Sequence, residues 1–219
     1  PPYLGSKGMN AELKKFAKKQ FPNSKSDLFA IFMERVFNFL KEDGYNAQVN
    51  MQSWMFLSSY EKLRNWLIDN KTILSMAHFG SRAFGQISGE VVQTTAWVLS
   101  NSQMAEFTPS FKRLVAGNEE DKKNSFHSKD LCFTNIKQIG FKQYPGSIIS
   151  YWSSDAVRKS FSCKSALGKV MFSDGLLKTG NNDRYVRFHW EVRKQQLLDS
   201  TSYRFMAKGG DAKDIYGND

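Results

Sequence analysis

Cysteine, histidine and proline are all scarce in this 219-residue chain, at two, three and five residues. Cys132 and Cys163 lie far apart with no paired spacing. That excludes a disulfide framework or a zinc motif and suits a reducing cytosol. Each reads as a small core hydrophobe rather than a nucleophile. His78, His127 and His189 are scattered, form no metal-ligand set and read as packing or surface residues. No apolar run approaches the ~20 residues of a membrane span, and no signal peptide is visible. There is no internal repeat and no low-complexity tract. What is plentiful is aromatic residues and positive charge. Hydrophobic residues make up 41% of the chain, and eighteen phenylalanines supply ample core for a globular protein. Thirty-one Lys and Arg against twenty-one Asp and Glu leave a net charge of +10. That excess favours a polyanionic partner, most simply nucleic acid. Charge that serves only solubility is the alternative.

The pattern along the chain predicts an α/β protein. Asn10 caps a basic helix to Gln20, amid Lys14, Lys15, Lys18 and Lys19. Ser24 or Ser26 caps a long helix whose apolar stripe includes Leu28, Phe32, Val36, Phe39 and Leu40, widened by Phe29, Met33 and Phe37. Asp27 in its first turn suits the helix dipole, and Gly44 ends it. Tyr45–Met51 reads as a buried strand. Gln52–Ser59 reads as a loop with Trp54, Met55 and Phe56 exposed. A helix over Tyr60–Asp69, a strand over Thr72–His78, a glycine-rich loop to Gly89 and a strand over Glu90–Asn101 follow. The early βα alternation is the grammar of a mostly parallel sheet. The two last strands have no helix between them, which implies an antiparallel hairpin at the sheet edge. Beyond residue 102 the spacing predicts a strand over Phe107–Val115, a helix or loop over Asn118–Lys129 and a turn at Pro145-Gly146. Ser153 or Ser154 then caps a helix to about Phe161, and a short strand covers Leu167–Met171.

Several long stretches resemble the PglX family, the adenine-specific DNA methyltransferases of bacterial phage-exclusion (BREX) systems, relatives of fused restriction-modification enzymes. They are Ser24 to Ala30, Met51 to Arg64 and Gly89 to Ala96. Pro145-Gly146-Ser147 with Tyr151-Trp152, the Lys178-to-Arg184 run, and Lys208-Gly209-Gly210 with Tyr216-Gly217-Asn218 continue the likeness in collinear order. Pro1-Pro2-Tyr3 fits too. Preceded by Asn, Asp or Ser, this tripeptide is the loop that amino-methylating DNA methyltransferases close around a flipped-out base.

The resemblance implies the C-terminal part of a Rossmann-like class I methyltransferase sheet ending in an antiparallel hairpin. The start of an α+β target-recognition domain follows it. Residues 1–110 are assigned to the catalytic domain, 111–144 to a connecting segment and 145–219 to the recognition domain. The implied reaction moves a methyl group from S-adenosylmethionine to the exocyclic amine of adenine in double-stranded DNA, in the cytoplasm, alongside other defence-system proteins. The leading Asn and the glycine-rich cofactor motif are not found in this sequence. It is therefore expected to be a piece of a larger enzyme, inactive alone, with most of the cofactor site elsewhere.

Within that reading, an enzyme acting on a ring amine must first extract the base from the stack. Tyr3 stacks on the adenine, and the Pro1 carbonyl accepts one amine hydrogen, with Pro2 shaping the loop. Phe84 is the candidate for the second face of the base and Phe79 the reserve; a plain core role fits either equally. Ser26, Asp27 and Phe29 open a helix that flanks the cofactor in this family, but capping and packing explain them as well. Lys178, Thr179, Asn181, Asn182 and Arg184 combine phosphate-type and base-edge groups in a Gly-bounded loop and are the candidate DNA contacts. A turn stabilised by Asn and Asp side chains is the alternative. Two other functions stay open: a non-catalytic DNA-binding or assembly module of a phage-defence complex, and a methyltransferase acting on RNA or protein.

Overall fold

A computed structural model describes residues 1–84, 92–162, 169, 171, 181–198 and 203. The chain divides into two compact units, Pro1–Ala166 and Leu167–Asp219. Among its described residues the first unit holds a mixed α/β fold around a sheet of five strands, β1 (Tyr45–Met51), β2 (Thr72–Gly80), β3 (Thr94–Ser100), β4 (Ser110–Arg113) and β5 (Cys132–Phe133), in the order β1-β3-β2-β4-β5. Its helices are α1 (Ala11–Gln20), α2 (Leu28–Val36), α3 (Glu61–Asn70), α4 (Glu119–Ser125) and α5 (Asp155–Ser160).

The sheet corrects the expectation of mostly parallel neighbours. β3 runs antiparallel to both β1 and β2 and lies between them, and only β2 and β4 pair in parallel. The antiparallel partnership of β2 and β3 is as the missing helix implied, but β3 is interior rather than at an edge. β1, β2 and β4 consequently point the same way, and their C-terminal ends share one edge of the sheet.

Local chemistry explains most of the helices. Asn10 accepts from Leu13 N at 2.8 Å and starts α1. Asn118 and Asp121 form a reciprocal capping box on α4. The cap of α2 is Asp27, not Ser24 or Ser26. Ser24 turns away to Glu34, its hydroxyl 2.5 Å from that carboxylate. α2 is also shorter than expected. It tightens into a 3-10 turn at Phe37–Phe39, and Gly44 closes a separate turn onto the Lys41 carbonyl. Its buried stripe is Phe29, Ala30, Met33 and Phe37, while Phe32 and Phe39 face outward. β1 is likewise only half buried: Asn46 and Asn50 point inward, and Tyr45 and Val49 outward. β3 and β4 are shorter than the strands expected there, and residues 90–91 lie outside the described residues.

The core collects Phe29, Met33, Trp54, Leu63, Leu67, Trp97, Leu99, Phe111 and Phe141 between the helices and one face of the sheet. Each such side chain contributes about 1.5–3 kcal/mol when fully buried. Trp54 and Met55 belong to this core, with no exposed surface, which overturns their expected exposure. Short 3-10 turns at Gln52–Met55 and Ser58–Tyr60 rotate them inward, where Trp54 meets Trp97 edge-on at 6.3 Å. Arg64, itself buried, locks this arrangement. Its guanidinium donates to the carbonyls of Trp54 (2.8 Å), Leu57 (2.7 Å) and Gly146 (2.9 and 2.6 Å). Gly146 adopts φ +68°, which favours glycine.

The segment 111–144, read from the sequence as a connector, contains the end of β4, all of α4 and β5, and lies inside the first compact unit. The strand expected over Leu167–Met171 lies largely outside the described residues. The second unit, among its described residues, carries helical turns at Asn182–Tyr185 and Lys194–Leu198.

Candidate target-base site

Asp27 organises the N-terminal loop. Its backbone is extended (φ −154°, ψ 151°), as an N-cap requires. Its Oδ1 accepts from Phe29 N at 3.3 Å, capping α2, and also from Leu4 N at 3.0 Å. Leu28 N donates back to the Leu4 carbonyl at 3.1 Å, and Ser6 N to the Ser26 carbonyl at 2.9 Å. Residues 4–6 therefore lie antiparallel along residues 26–28, joined by a β-bridge between Gly5 and Asp27.

This anchoring fixes Tyr3. Its ring meets Phe29 edge-on at 5.9 Å while 48% of the residue stays exposed. Pro1 and Pro2 are exposed beside it. Phe29 in turn packs on Tyr60 at 5.6 Å, and Ser26 Oγ reaches the Ser59 carbonyl at 3.4 Å. The loop thus sits where the start of α2 meets the residues that follow the C-terminal end of β1. Ligands of open α/β sheets gather at such strand ends. Burial, and then the charge of Asp27, raises the pKa of Tyr3. The same two causes push Tyr60 up to about 12. Tyr3 therefore presents a neutral ring at physiological pH, suited to stacking against a flat, uncharged partner.

A second group lies at the same sheet edge and was not singled out as a site from the sequence. His78, near the end of β2, is buried among Phe56 (6.0 Å between ring centroids), Trp152 (5.9 Å) and Tyr151 (6.1 Å). Arg113, the last residue of β4, places its guanidinium 5.3 Å from the Trp152 ring centre. A histidine two residues before a strand end is the only signal the sequence offered. Its partners come from positions 26 and 73 residues away.

The remaining candidates lie in both compact units. Phe84 follows β2 and is 45% exposed, and Phe79, on β2, is partly buried. Among the described residues no ring contact joins either of them to Tyr3. Lys178 and Thr179 lie outside the described residues. Asn181 caps the turn Asn182–Tyr185, its side chain accepting from Arg184 N at 3.0 Å. The Arg184 guanidinium lies 5.2 Å from the Tyr185 ring centre. Ser26 and Asp27, the polar side chains at the start of α2, are both engaged by the chain's own backbone. Capping and backbone contacts account for both, and no cofactor contact is assigned to them. Among the described residues no group of three or more His, Cys, Asp and Glu is placed to hold a metal ion. No described helix is long and apolar enough to cross a membrane.

Residues 1–84 match the family model of the Eco57I restriction-modification methylase. Over its whole length the chain is 53% identical to the adenine-specific methyltransferase BrxX of Escherichia coli O9:H4 (strain HS), of which it spans 18%. It is 37% identical, again over its whole length, to the adenine-specific methyltransferase PglX of Lacticaseibacillus casei (strain Zhang), of which it spans 19%. Among solved structures, the DrdV–DNA complex aligns with 59% of the chain and 15% of its own, at 16% identity and a TM-score of 0.44. The resemblance to PglX methyltransferases read from the sequence therefore runs along the whole chain, which spans about a fifth of each curated relative.

Proposed function

We propose that this chain supplies the target-base loop of an S-adenosylmethionine-dependent methyltransferase that modifies the exocyclic amine of adenine in double-stranded DNA. It would act in the cytoplasm as part of a restriction-modification or phage-defence system, with other defence proteins as partners. The observation that carries this reading is the collinear 53% identity to an adenine-specific methyltransferase over every part of the chain. The geometry of residues 1–6 supports it, because an exposed aromatic ring and two prolines are held on the cap of α2, beside the residues that follow the C-terminal end of β1.

In this reading residues 1–110 are the C-terminal half of a class I catalytic domain. β3, running against β1 and β2, is its terminal hairpin strand. Residues 111–144, which complete the same sheet with β4 and β5, lead to the start of a recognition domain, read from the sequence as 145–219, where Lys178, Thr179, Asn181, Asn182 and Arg184 face DNA. S-adenosylmethionine, bound mainly by residues beyond this chain, supplies the methyl group. The chain's own part is to hold the base. Tyr3 stacks on the flipped adenine, a contact worth roughly 1–3 kcal/mol, and Phe84 covers the other face. The Pro1 carbonyl accepts one amine hydrogen and so directs the nitrogen lone pair. The attack needs no general base, since the amine loses its proton after transfer.

The test is methyl transfer to unmodified duplex DNA by the intact protein. N6-methyladenine is the expected product. Tyr3→Ala lowers kcat/KM about 10- to 100-fold, following the loss of stacking, and Tyr3→Phe stays close to the parent. The 219-residue chain alone transfers nothing. An intact protein that binds S-adenosylmethionine yet leaves adenine unmodified, or a Tyr3→Ala variant of parental activity, overturns the reading.

A further inference from the structure

His78 uses both ring nitrogens. Its Nδ1 lies 3.0 Å from the Tyr151 hydroxyl, and its Nε2 meets the side-chain oxygen of Gln52. The amide nitrogen of Gln52 donates to the side-chain oxygen of Gln93, and Gln52 N donates to the Gln93 carbonyl at 2.9 Å. The orientation of the Gln52 amide sets the polarity of the relay. Gln52 presents an acceptor, so Nε2 carries the proton; Nδ1 is then an acceptor, and Tyr151 donates to it. Burial, and then the charge of Arg113, lowers the His78 pKa to about 4, so the ring is neutral at physiological pH and the pattern holds.

The position of this relay is informative. Gln52 follows β1, His78 lies near the end of β2, and Gln93 immediately precedes β3. The relay therefore ties the point where the chain leaves β2 to the point where it enters β3. The anchor at its other end is firm, because Tyr151 stacks on Phe111 at 4.6 Å with the rings 4° from parallel. The backbone around His78 is irregular. The β2–β3 register shifts between His78 and Gly80, Gly80 has φ +64°, and Arg82 has φ +57°, a left-handed conformation rare outside glycine. Such a backbone persists only where its surroundings over-determine it. A purely packed position would need only an apolar ring or chain here, since a buried polar group costs stability unless it is fully paired.

We propose that His78 is a positioning residue. Through Gln52 and Gln93 it sets the spacing between the end of β2 and the start of β3, and so the placement of Phe84 at the target-base site. The last clause rests on the methyltransferase reading, but the spacing role does not.

The experiment separates the two. In the intact protein, His78→Leu and Gln93→Leu break the relay, and His78→Gln keeps the donor towards Gln52. Trypsin cleavage after Arg82 is expected to be about tenfold faster in His78→Leu, the scale of one lost hydrogen bond at a buried residue, and about threefold faster in Gln93→Leu, whose side-chain bond is exposed. His78→Gln is expected near the parental rate, and cleavage at other sites unchanged. On adenine-containing duplex DNA the Leu variants lose about tenfold or more in kcat, the scale of a misplaced contact. KM for DNA stays within about twofold, because the ground-state DNA contacts are untouched. Parental cleavage at Arg82 in Gln93→Leu, or His78→Gln no better than His78→Leu, overturns the spacing role. Faster cleavage with kcat within twofold of an active parent overturns the link to the target-base site. An intact parent that never methylates adenine sinks the functional reading instead, and the cleavage rates still decide the role of His78. If leucine at 78 prevents folding, Gln93→Leu, which leaves the histidine in place, provides both readouts.

Discussion

Removing the carboxylate of Asp27 tests how the N-terminal loop is held, because one oxygen serves two backbone donors, Leu4 N and Phe29 N, that are 25 residues apart. Asp27→Ala deletes the α2 cap, worth about 1 kcal/mol. It also deletes the Leu4 N bond to a charged acceptor, worth about 1.5–3 kcal/mol in general and placed at the lower end here because the site is part-exposed. The sum is about 2–3 kcal/mol, most of it local to residues 1–6 and the first turn of α2. Amide hydrogen exchange in the intact protein reads this directly. Leu4 and Phe29 amides are expected to exchange about 30- to 160-fold faster in Asp27→Ala, the exchange equivalent of that free energy. Asp27→Asn keeps an oxygen in the same place and caps equally well, so its exchange stays within about threefold of the parent. The two substitutions differ in charge as well as hydrogen bonding. The phenols of Tyr3 and Tyr60, both raised in part by Asp27, therefore titrate lower in either variant. Equal exchange in the Ala and Asn variants, or an unchanged Leu4 amide in Asp27→Ala, refutes the anchoring argument.

Arg64→Met leaves the carbonyls of Trp54, Leu57 and Gly146 without their shared donor and is expected to cost about 3–5 kcal/mol in thermal or denaturant unfolding; a loss under about 1 kcal/mol contradicts the structure. Gly146→Ala forces a side chain into a left-handed conformation with its Cβ 3.4 Å from Arg64. It is expected to cost about 1–2 kcal/mol, measured by the same unfolding curve. His78 is buried neutral with a pKa near 4, against 6.5 when unfolded. As pH falls through this window the unfolded chain takes up the proton and the folded one does not. Stability is therefore fully present above pH 6.5 and declines towards pH 4, by about 3 kcal/mol in total. The melting temperatures of the parent and His78→Gln are expected to diverge across that interval and run parallel above it; parallel behaviour throughout contradicts the buried, neutral ring.

What was legible in the sequence was whatever a few neighbouring residues decide. Asn10 starts α1 because its side chain reaches Leu13, three residues on, and β1 spans Tyr45–Met51 as its pattern indicated. Several misreadings involve distant partners. Ser24, Ser26 and Asp27 can each cap a helix, and Asp27 holds the position while also binding Leu4, which arrives from 23 residues upstream. Trp54 looked exposed because it lies in the connection between β1 and α3, and connections usually run over the surface. Arg64 and Trp97, from α3 and β3, turn it inward. The interior place of β3 is invisible to periodicity, because alternation within a strand says nothing about which strands flank it.

The same distinction separates the two halves of the candidate site. Tyr3 stood out because its chemistry is written in adjacent residues, Pro1-Pro2-Tyr3. What holds the loop is Asp27, whose bond to Leu4 no local pattern in the sequence showed. His78 offered no local motif at all, and its meaning comes from Gln52, Gln93 and Tyr151, which the topology brings to one sheet edge. On the proposed reading, a base-holding loop must be exposed enough to receive its target and still fixed in place. Here the exposed residues are contiguous in sequence, while those that fix them are assembled by the fold. Substitutions at Asp27 should therefore act on Tyr3 without touching the base, and substitutions at His78 should act on the β2–β3 connection without touching Tyr3.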